Sequence, residues 1–251
     1  MVKVRIITPL CEMDDQMAED TMKEVEHLSA SGIECDNVVL GAGPSSIENH
    51  FDETFCAPYV TIKAMEAAQD GVDAIVIDCM GDPGLMSARE AVSIPVIGPG
   101  EACMHMAGMM GNRFSCVSIL DSVRPIFFAH AKVYGVVDKL ASVRCIDVPV
   151  LELESMASET IIDTLTEQSL ICVEQDLADT IILGCTGFVG VADAVQGRLN
   201  DAGYPVPVIN PLPTAALLAA MMVNGGLSHS PHAYHKPNLN KPCKGFLFPK
   251  L

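Results

Sequence analysis

The chain is short of bases: 15 Lys and Arg stand against 32 Asp and Glu, for a formal net charge of −17. Clustered cations, which a phosphate backbone demands, are therefore missing, and no nucleic-acid partner is expected. A field of this sign mildly repels anionic small molecules unless a local pocket overrides it. No apolar run reaches the roughly 18 residues that cross a bilayer. Met1 to Ile7 enters a strand directly, with no basic stretch followed by an apolar segment and a small-residue cleavage site. The expectation is a cytoplasmic protein with no membrane association. None of the 10 cysteines forms a C-x-x-C pair, which removes zinc-ribbon, thioredoxin-type and metal-storage readings. Reduced thiols are the default without visible export. Most should be inert core residues, as Cys116 and Cys172 in apolar or helical stretches suggest.

What is present is the composition of a compact globular protein, 49% hydrophobic over 251 residues. That length buries a core in one large domain or two modest ones. A repeat favours two. Residues 72 to 84 read VDAIVIDCMGDPG and residues 178 to 190 read ADTIILGCTGFVG. Downstream, Pro95-Val96-Ile97-Gly98-Pro99 answers Pro207-Val208-Ile209-Asn210-Pro211; upstream, Val4 to Leu10 answers Phe114 to Leu120.

Short apolar runs alternate with helical patterns. Strands are expected at Val4 to Leu10, Cys35 to Leu40, Ala74 to Ile77 and Pro95 to Ile97, then at Phe114 to Leu120, Val143 to Val148, Thr180 to Leu183 and Val206 to Ile209. Helices are expected over 14–30, 58–70, Ser87 to Val92, Glu101 to Met110, 122–137, 158–177 and Thr214 to Val223, before an irregular tail. The pattern predicts an α/β fold with parallel sheets flanked by helices and buried on both faces. Two pseudo-symmetric lobes follow, one from residues 1–98 and 210–251 with the last helix returning, the other from 99–209.

Ligands of such sheets bind where strand C-termini open into loops. This places chemistry at Thr8 and Pro9, at Cys79 to Gly84, at Ser118 to Ser122 and at Cys185 to Gly190. Duplication puts Cys79 and Cys185 on opposite sides of a shared cleft, an arrangement suited to moving a proton between the two faces of one carbon. Gly81 and Gly187 permit tight turns in which backbone amides approach a ligand. The helix N-terminus beyond each turn is expected to lower the thiol pKa from its free value near 8.5 and to hold a developing enolate oxygen. General acid–base transfer supplies about 10²–10⁴-fold, so enolate stabilisation must carry much of the rest.

The same residues carry a resemblance. Gly43-Pro44-Ser45-Ser46-Ile47-Glu48 with Asp52-Glu53 and Ala57-Pro58, then Cys79 to Leu85, Leu183 to Gly187 and the tail Gly226 to Ser230 resemble the Asp/Glu/hydantoin racemase superfamily, most closely its hydantoin racemase branch. The resemblance spans almost the whole chain. It implies cofactor-independent racemisation between two α/β lobes of a homo-oligomer, with Cys79 and Cys185 as the acid/base pair and a small hydantoin-like or amino-acid-derived substrate. Thr8, Pro9, Gly81, Asp82, Ser118, Ser122, Thr186 and Gly187 are the expected substrate-binding positions. Thr8-Pro9-Leu10 replaces an Asn-Pro-Asn-type loop; Ser118, Ile119 and Ser122 stand where that branch tends to have two Thr and an Arg, with Arg124 displaced.

Other signals are weaker. Gly41-Ala42-Gly43 lacks the third glycine of a dinucleotide turn. His229, His232 and His235 are separated by Pro231 and read as a solvated tail rather than a metal site, so no metal is expected. Asp82-Pro83-Gly84 is also a good turn in its own right. Two other functions share the scaffold: decarboxylation or cis–trans isomerisation of a small dicarboxylate, and ligand binding without catalysis. An intact thiol pair argues against the first.

Overall fold

The computed structural model describes residues 1–153, 155–241, 243–246 and 248–249. Two four-stranded parallel sheets carry the same topology. The first has β1 (Val2–Thr8), β2 (Ile33–Val39), β3 (Ala74–Ile77) and β4 (Val96–Ile97) in the order β2-β1-β3-β4. The second has β5 (Phe114–Ser118), β6 (Leu140–Cys145), β7 (Thr180–Leu183) and β8 (Val208–Ile209) in the order β6-β5-β7-β8. The fold is thus α/β with the internal repeat expected from the sequence.

β3 shows why these apolar runs become central parallel strands. All four of its side chains are buried. Ile75 and Ile77 pack towards α2 (His50–Gln69) and α3 (Leu85–Ala91); Ala74 and Val76 pack on the other face with Val25 of α1 (Asp15–Glu26) and with α9 (Pro211–Asn224). Alternation sends successive side chains to opposite faces, and helices cover both. On α9, Leu212, Ala215, Ala216, Ala219 and Ala220 are buried at the spacing of one helical face against the first sheet. These small residues let α9 approach β1, β3 and β4 closely.

Helix α4 (Pro99–Met110) joins the halves, touching α9, β7 and β5. The second sheet is covered by α5 (Arg124–Val133), α7 (Ser158–Glu174) and α8 (Ala192–Asp201), with a short turn of helix, α6 (Val150–Leu153), before α7. The halves are also tied by polar contacts. Glu48 accepts hydrogen bonds from Val150 N on Oε1 (2.7 Å) and from Ser122 Oγ on its carbonyl (2.6 Å). Glu24 of α1 accepts from Gly190 N and from Asn210 Nδ2.

Several expected boundaries move. α2 begins at His50 rather than at 58, because Asn49 caps it by accepting from Asp52 N (3.1 Å) and Pro58 is accommodated inside. The expected helix over 14–30 ends as α-helix at Glu26 and tightens to a 3₁₀ turn over His27–Ser31. α8 and α6 are additional helices. Of the tail histidines, His232 and His235 are exposed as expected, whereas His229 is half-buried: its Nε2 accepts from Val96 N (2.8 Å), which docks the tail on β4.

Candidate active site

Cys79 and Cys185 stand just beyond the C-termini of β3 and β7, and both line the same two adjoining cavities, of about 350 Å³ and about 40 Å³. Each sulfur accepts a hydrogen bond from the amide two residues on: Gly81 N at 3.4 Å and Gly187 N at 3.3 Å. These bonds fix both thiols in matching turns. A helix follows each turn as expected, but α3 starts only at Leu85 and α8 only at Ala192, several residues beyond each sulfur. The thiols are accordingly not acidified. Burial pushes Cys185 up to about 12, against the lowering effect of the Gly187 amide. Burial also pushes Cys79 well above the usual thiol range, again opposed by the Gly81 amide. Desolvation outweighs one backbone hydrogen bond in each case.

Thr8, at the end of β1, and Pro9 line the larger cavity with Thr186 and Gly187. Thr8 Oγ1 donates to Asp78 Oδ2 (2.9 Å) and accepts from Asn37 Nδ2 (2.7 Å). Thr186 Oγ1 donates across the cleft to the Asp78 carbonyl (3.2 Å). Asp78 Oδ1 is buried and accepts nothing. Burial raises the Asp78 pKa, offset by Thr8 and Thr186. Gly81 and Ser118 line the smaller cavity, where Ser118 Oγ donates to the Gly184 carbonyl (2.8 Å).

Two expected positions lie elsewhere. Asp82, at φ 46°, turns its carboxylate away from both cavities and accepts from Gly100 N (2.9 Å), Glu101 N (2.8 Å) and Tyr134 Oη (2.7 Å). It caps α4, and burial raises its pKa to about 7. These three protein donors occupy three of its roughly four lone-pair sites. Ser122 borders neither cavity and spends its hydroxyl on Glu48.

Sequence reasoning missed three contributors. Ile47 lines both cavities. Glu48 clasps the second half, as described above. Glu53, in the first turn of α2, borders the smaller cavity. Its Oε2 meets His50 Nδ1 at 3.0 Å, whereas its Oε1 is buried with no hydrogen-bond partner. The Gly43–Glu48 and Asp52-Glu53 segments had been singled out only for their resemblance, and a first-turn acid is ordinarily explained by the helix dipole.

The larger cavity has an apolar wall that includes Met13, Met17, Leu153, Met156 and Phe188. Among the described residues neither cavity is lined by Lys, Arg or His; the charged groups are Asp20, Asp78 and Glu53. No group of His, Cys, Asp and Glu suited to a metal ion occurs among the described residues, and no described helix is long and apolar enough to cross a membrane.

Comparison with known proteins identifies the family. The model of the Asp/Glu/Hydantoin racemase family matches residues 14–219. The chain is 31% identical over 229 residues to a hydantoin racemase of Pseudomonas sp. (strain NS671), covering 90% of this chain and 87% of that protein. It is 31% identical over 239 residues to the hydantoin racemase of Paenarthrobacter aurescens, covering 94% and 98%. The structure of allantoin racemase from Klebsiella pneumoniae superposes with a TM-score of 0.87 at 33% identity, over 95% of this chain and 94% of that one. A family model over residues 14–219 and relatives at 31% identity over nine-tenths of the chain leave one classification: the chain belongs to the Asp/Glu/hydantoin racemase family and is an isomerase.

Proposed function

We propose that the protein racemises a neutral hydantoin-type ring without a cofactor, using Cys79 and Cys185 as opposed base and acid. The observation that carries this reading is that both thiols line both cavities while no cationic side chain among the described residues does. The carboxylate of a free amino acid, or either carboxylate of a dicarboxylate, would enter against Asp20, Asp78 and Glu53 with no cationic side chain to pair it, a costly burial. A neutral cyclic ureide would not. Its ring substituent has an apolar wall to lie against, at roughly 25 cal/mol per Å² buried.

In this mechanism the thiolate of one cysteine takes the proton from the ring carbon between N–H and carbonyl. The C–H electron pair moves into the adjacent carbonyl to form an enolate. The other thiol then delivers its proton to the opposite face, the enolate collapses, and the two sulfurs have exchanged protonation states. The enolate oxygen falls to backbone amides of the thiol turns other than those of Gly81 and Gly187, which already donate to the sulfurs. The resting thiols are neutral, so only a minority of molecules carry the reactive thiolate near neutral pH.

Proton NMR in D₂O tests this with single-enantiomer 5-alkyl hydantoins, allantoin and free amino acids. The expected result is loss of the ring-carbon proton with parallel loss of optical rotation, on hydantoins but not on free amino acids. Ligand binding without exchange across the panel overturns it.

A further inference from the structure

Glu53 is the polar group of the smaller cavity that the mechanism leaves unused. Its side chain is 13% exposed, and Oε1 is wholly buried with no hydrogen-bond partner. A carboxylate oxygen left in that state costs about 1–3 kcal/mol or more, and native structures rarely keep one without a reason. The carboxyl also sits hard against Gly81. A Cβ built on Gly81 would clash with Glu53 Oε1 and stand 3.5 Å from Cys79 Sγ. Glycine at 81 therefore brings the carboxyl and the thiol to one side of the same small space. Cys185 and Ser118 line it from the other half. Burial raises the Glu53 pKa, offset by its hydrogen bond and charge interaction with His50. At about 40 Å³ the space takes a water or one or two ring atoms.

We propose that Glu53 Oε1 accepts the ring N–H bonded to the reacting carbon, and so selects substrates carrying that donor. This rests on the hydantoin-type reading above. A reacting carbon held between the thiols has an N–H on one side and a carbonyl on the other. The buried acceptor suits the first and leaves the carbonyl to the amides of the turns. The N–H completes a lone pair that the protein leaves bare, while an analogue without it buries that lone pair against a methyl group. Discrimination of this kind comes from the penalty on the wrong ligand.

The test compares kcat and KM for three forms of one 5-alkyl hydantoin: unmethylated, methylated on the nitrogen next to the reacting carbon, and methylated on the other nitrogen. Each is measured with wild type, Glu53→Ala and Glu53→Gln, with thermal melts to check that the variants are folded. For wild type, methylation next to the reacting carbon should lower kcat/KM about 10- to 100-fold. Glu53→Ala should lose a similar factor on the unmethylated ring and little more on the methylated one. Methylation of the other nitrogen should cost both proteins equally. Glu53→Gln, whose carbonyl still accepts, should recover most of the loss. Independent, multiplying effects of Glu53→Ala and methylation would overturn the proposal, as would full activity of Glu53→Ala on the unmethylated ring. If wild type exchanged the proton of none of the three, the hydantoin-type reading would fall and this assignment with it; exchange by wild type with an insensitive Glu53→Ala would remove Glu53 alone.

Discussion

The two halves share a sheet order and a thiol turn, yet the residues around the thiols differ. In the first half the sequence is Asp78-Cys79-Met80-Gly81-Asp82; in the second it is Gly184-Cys185-Thr186-Gly187-Phe188. The residue after each cysteine reaches towards the other half: Met80 is buried in the core of the second sheet, and Thr186 binds the Asp78 carbonyl. At the next differing position, Asp82 leaves the cavity to cap α4, whereas Phe188 helps to wall it. Before the cysteine, Asp78 adds a buried carboxylate. Gly184 cannot add anything, because a Cβ there would lie 2.6 Å from the Cβ of Ser118. Duplication repeats the backbone and the sulfurs, while the polar apparatus gathers on the Cys79 side. A racemase acts on two mirror-image substrates, and under the proposed mechanism the Cys79 half specialises in holding the ring while both sulfurs keep the proton work.

Replacing a sulfur should do the most damage. Cys79→Ser and Cys185→Ser are each expected to lower racemisation by at least about 10³-fold, because a hydroxyl is a far weaker acid than a thiol and general acid–base transfer is lost. Each variant should still exchange the proton of one enantiomer faster than the other, with opposite preference, which assigns a face to each half. Full racemisation by either variant would refute the pairing.

The glycines two residues later should separate the halves next. Gly81→Ala drives a methyl into the Glu53 carboxyl, whereas a Cβ at Gly187 finds only 3.4 Å contacts with Cys185 Sγ and Leu153 Cδ1. We expect Gly81→Ala to lower kcat/KM by about 10-fold or more and Gly187→Ala to change it by no more than about 3-fold, in keeping with the larger cost of overpacking a filled site. Equal losses would mean that the two turns carry equivalent surroundings.

How much of this asymmetry was legible follows from what each residue leaves in a sequence. β3 and β7 could be placed to the residue, since four consecutive apolar side chains in β3, and three after Thr180 in β7, fit a strand buried on both faces. The thiols stood out because duplication marks position, not because cysteine is rare here. The first two turns of α2 were lost to Pro58, although Asn49 followed by Asp52 and Glu53 is a start signal. α8 buries only Ala192, Val195 and Leu199 and carries Gly197 in its interior, so its pattern is faint. Glu53 and Asp82 were harder still. Whether an acid caps a helix, accepts from a ligand or meets solvent depends on which element folds over it, and that is decided by contacts distant in sequence.

The pH profile reads the same pair in the unsubstituted chain. Both thiols are held above their ordinary range by burial. One must ionise while the other stays protonated, so kcat/KM should climb by about tenfold per pH unit from roughly pH 6 to 9, with no plateau near 7. A plateau at neutral pH would mean that one turn acidifies its sulfur after all.

Asp82, which has no acidic counterpart at Phe188, should show the smallest effect, on stability rather than on rate. Its folded pKa is raised to about 7 by burial. Between the ordinary carboxylate value and about 7 the folded chain therefore binds more proton than the unfolded one, and stability contributed by this group falls as pH rises through that window. Asp82→Asn removes the titration. It also sets an amide N–H₂ against donors from Gly100, Glu101 and Tyr134, at a cost of about 1–2 kcal/mol typical of a lost cap. Urea unfolding should accordingly find the variant less stable than wild type at pH 5, with the gap narrowing by pH 8. A gap that stays constant from pH 5 to pH 8 would mean that the three donors, rather than burial, set the charge state of Asp82, and that the first half anchors α4 with a carboxylate already ionised at pH 5.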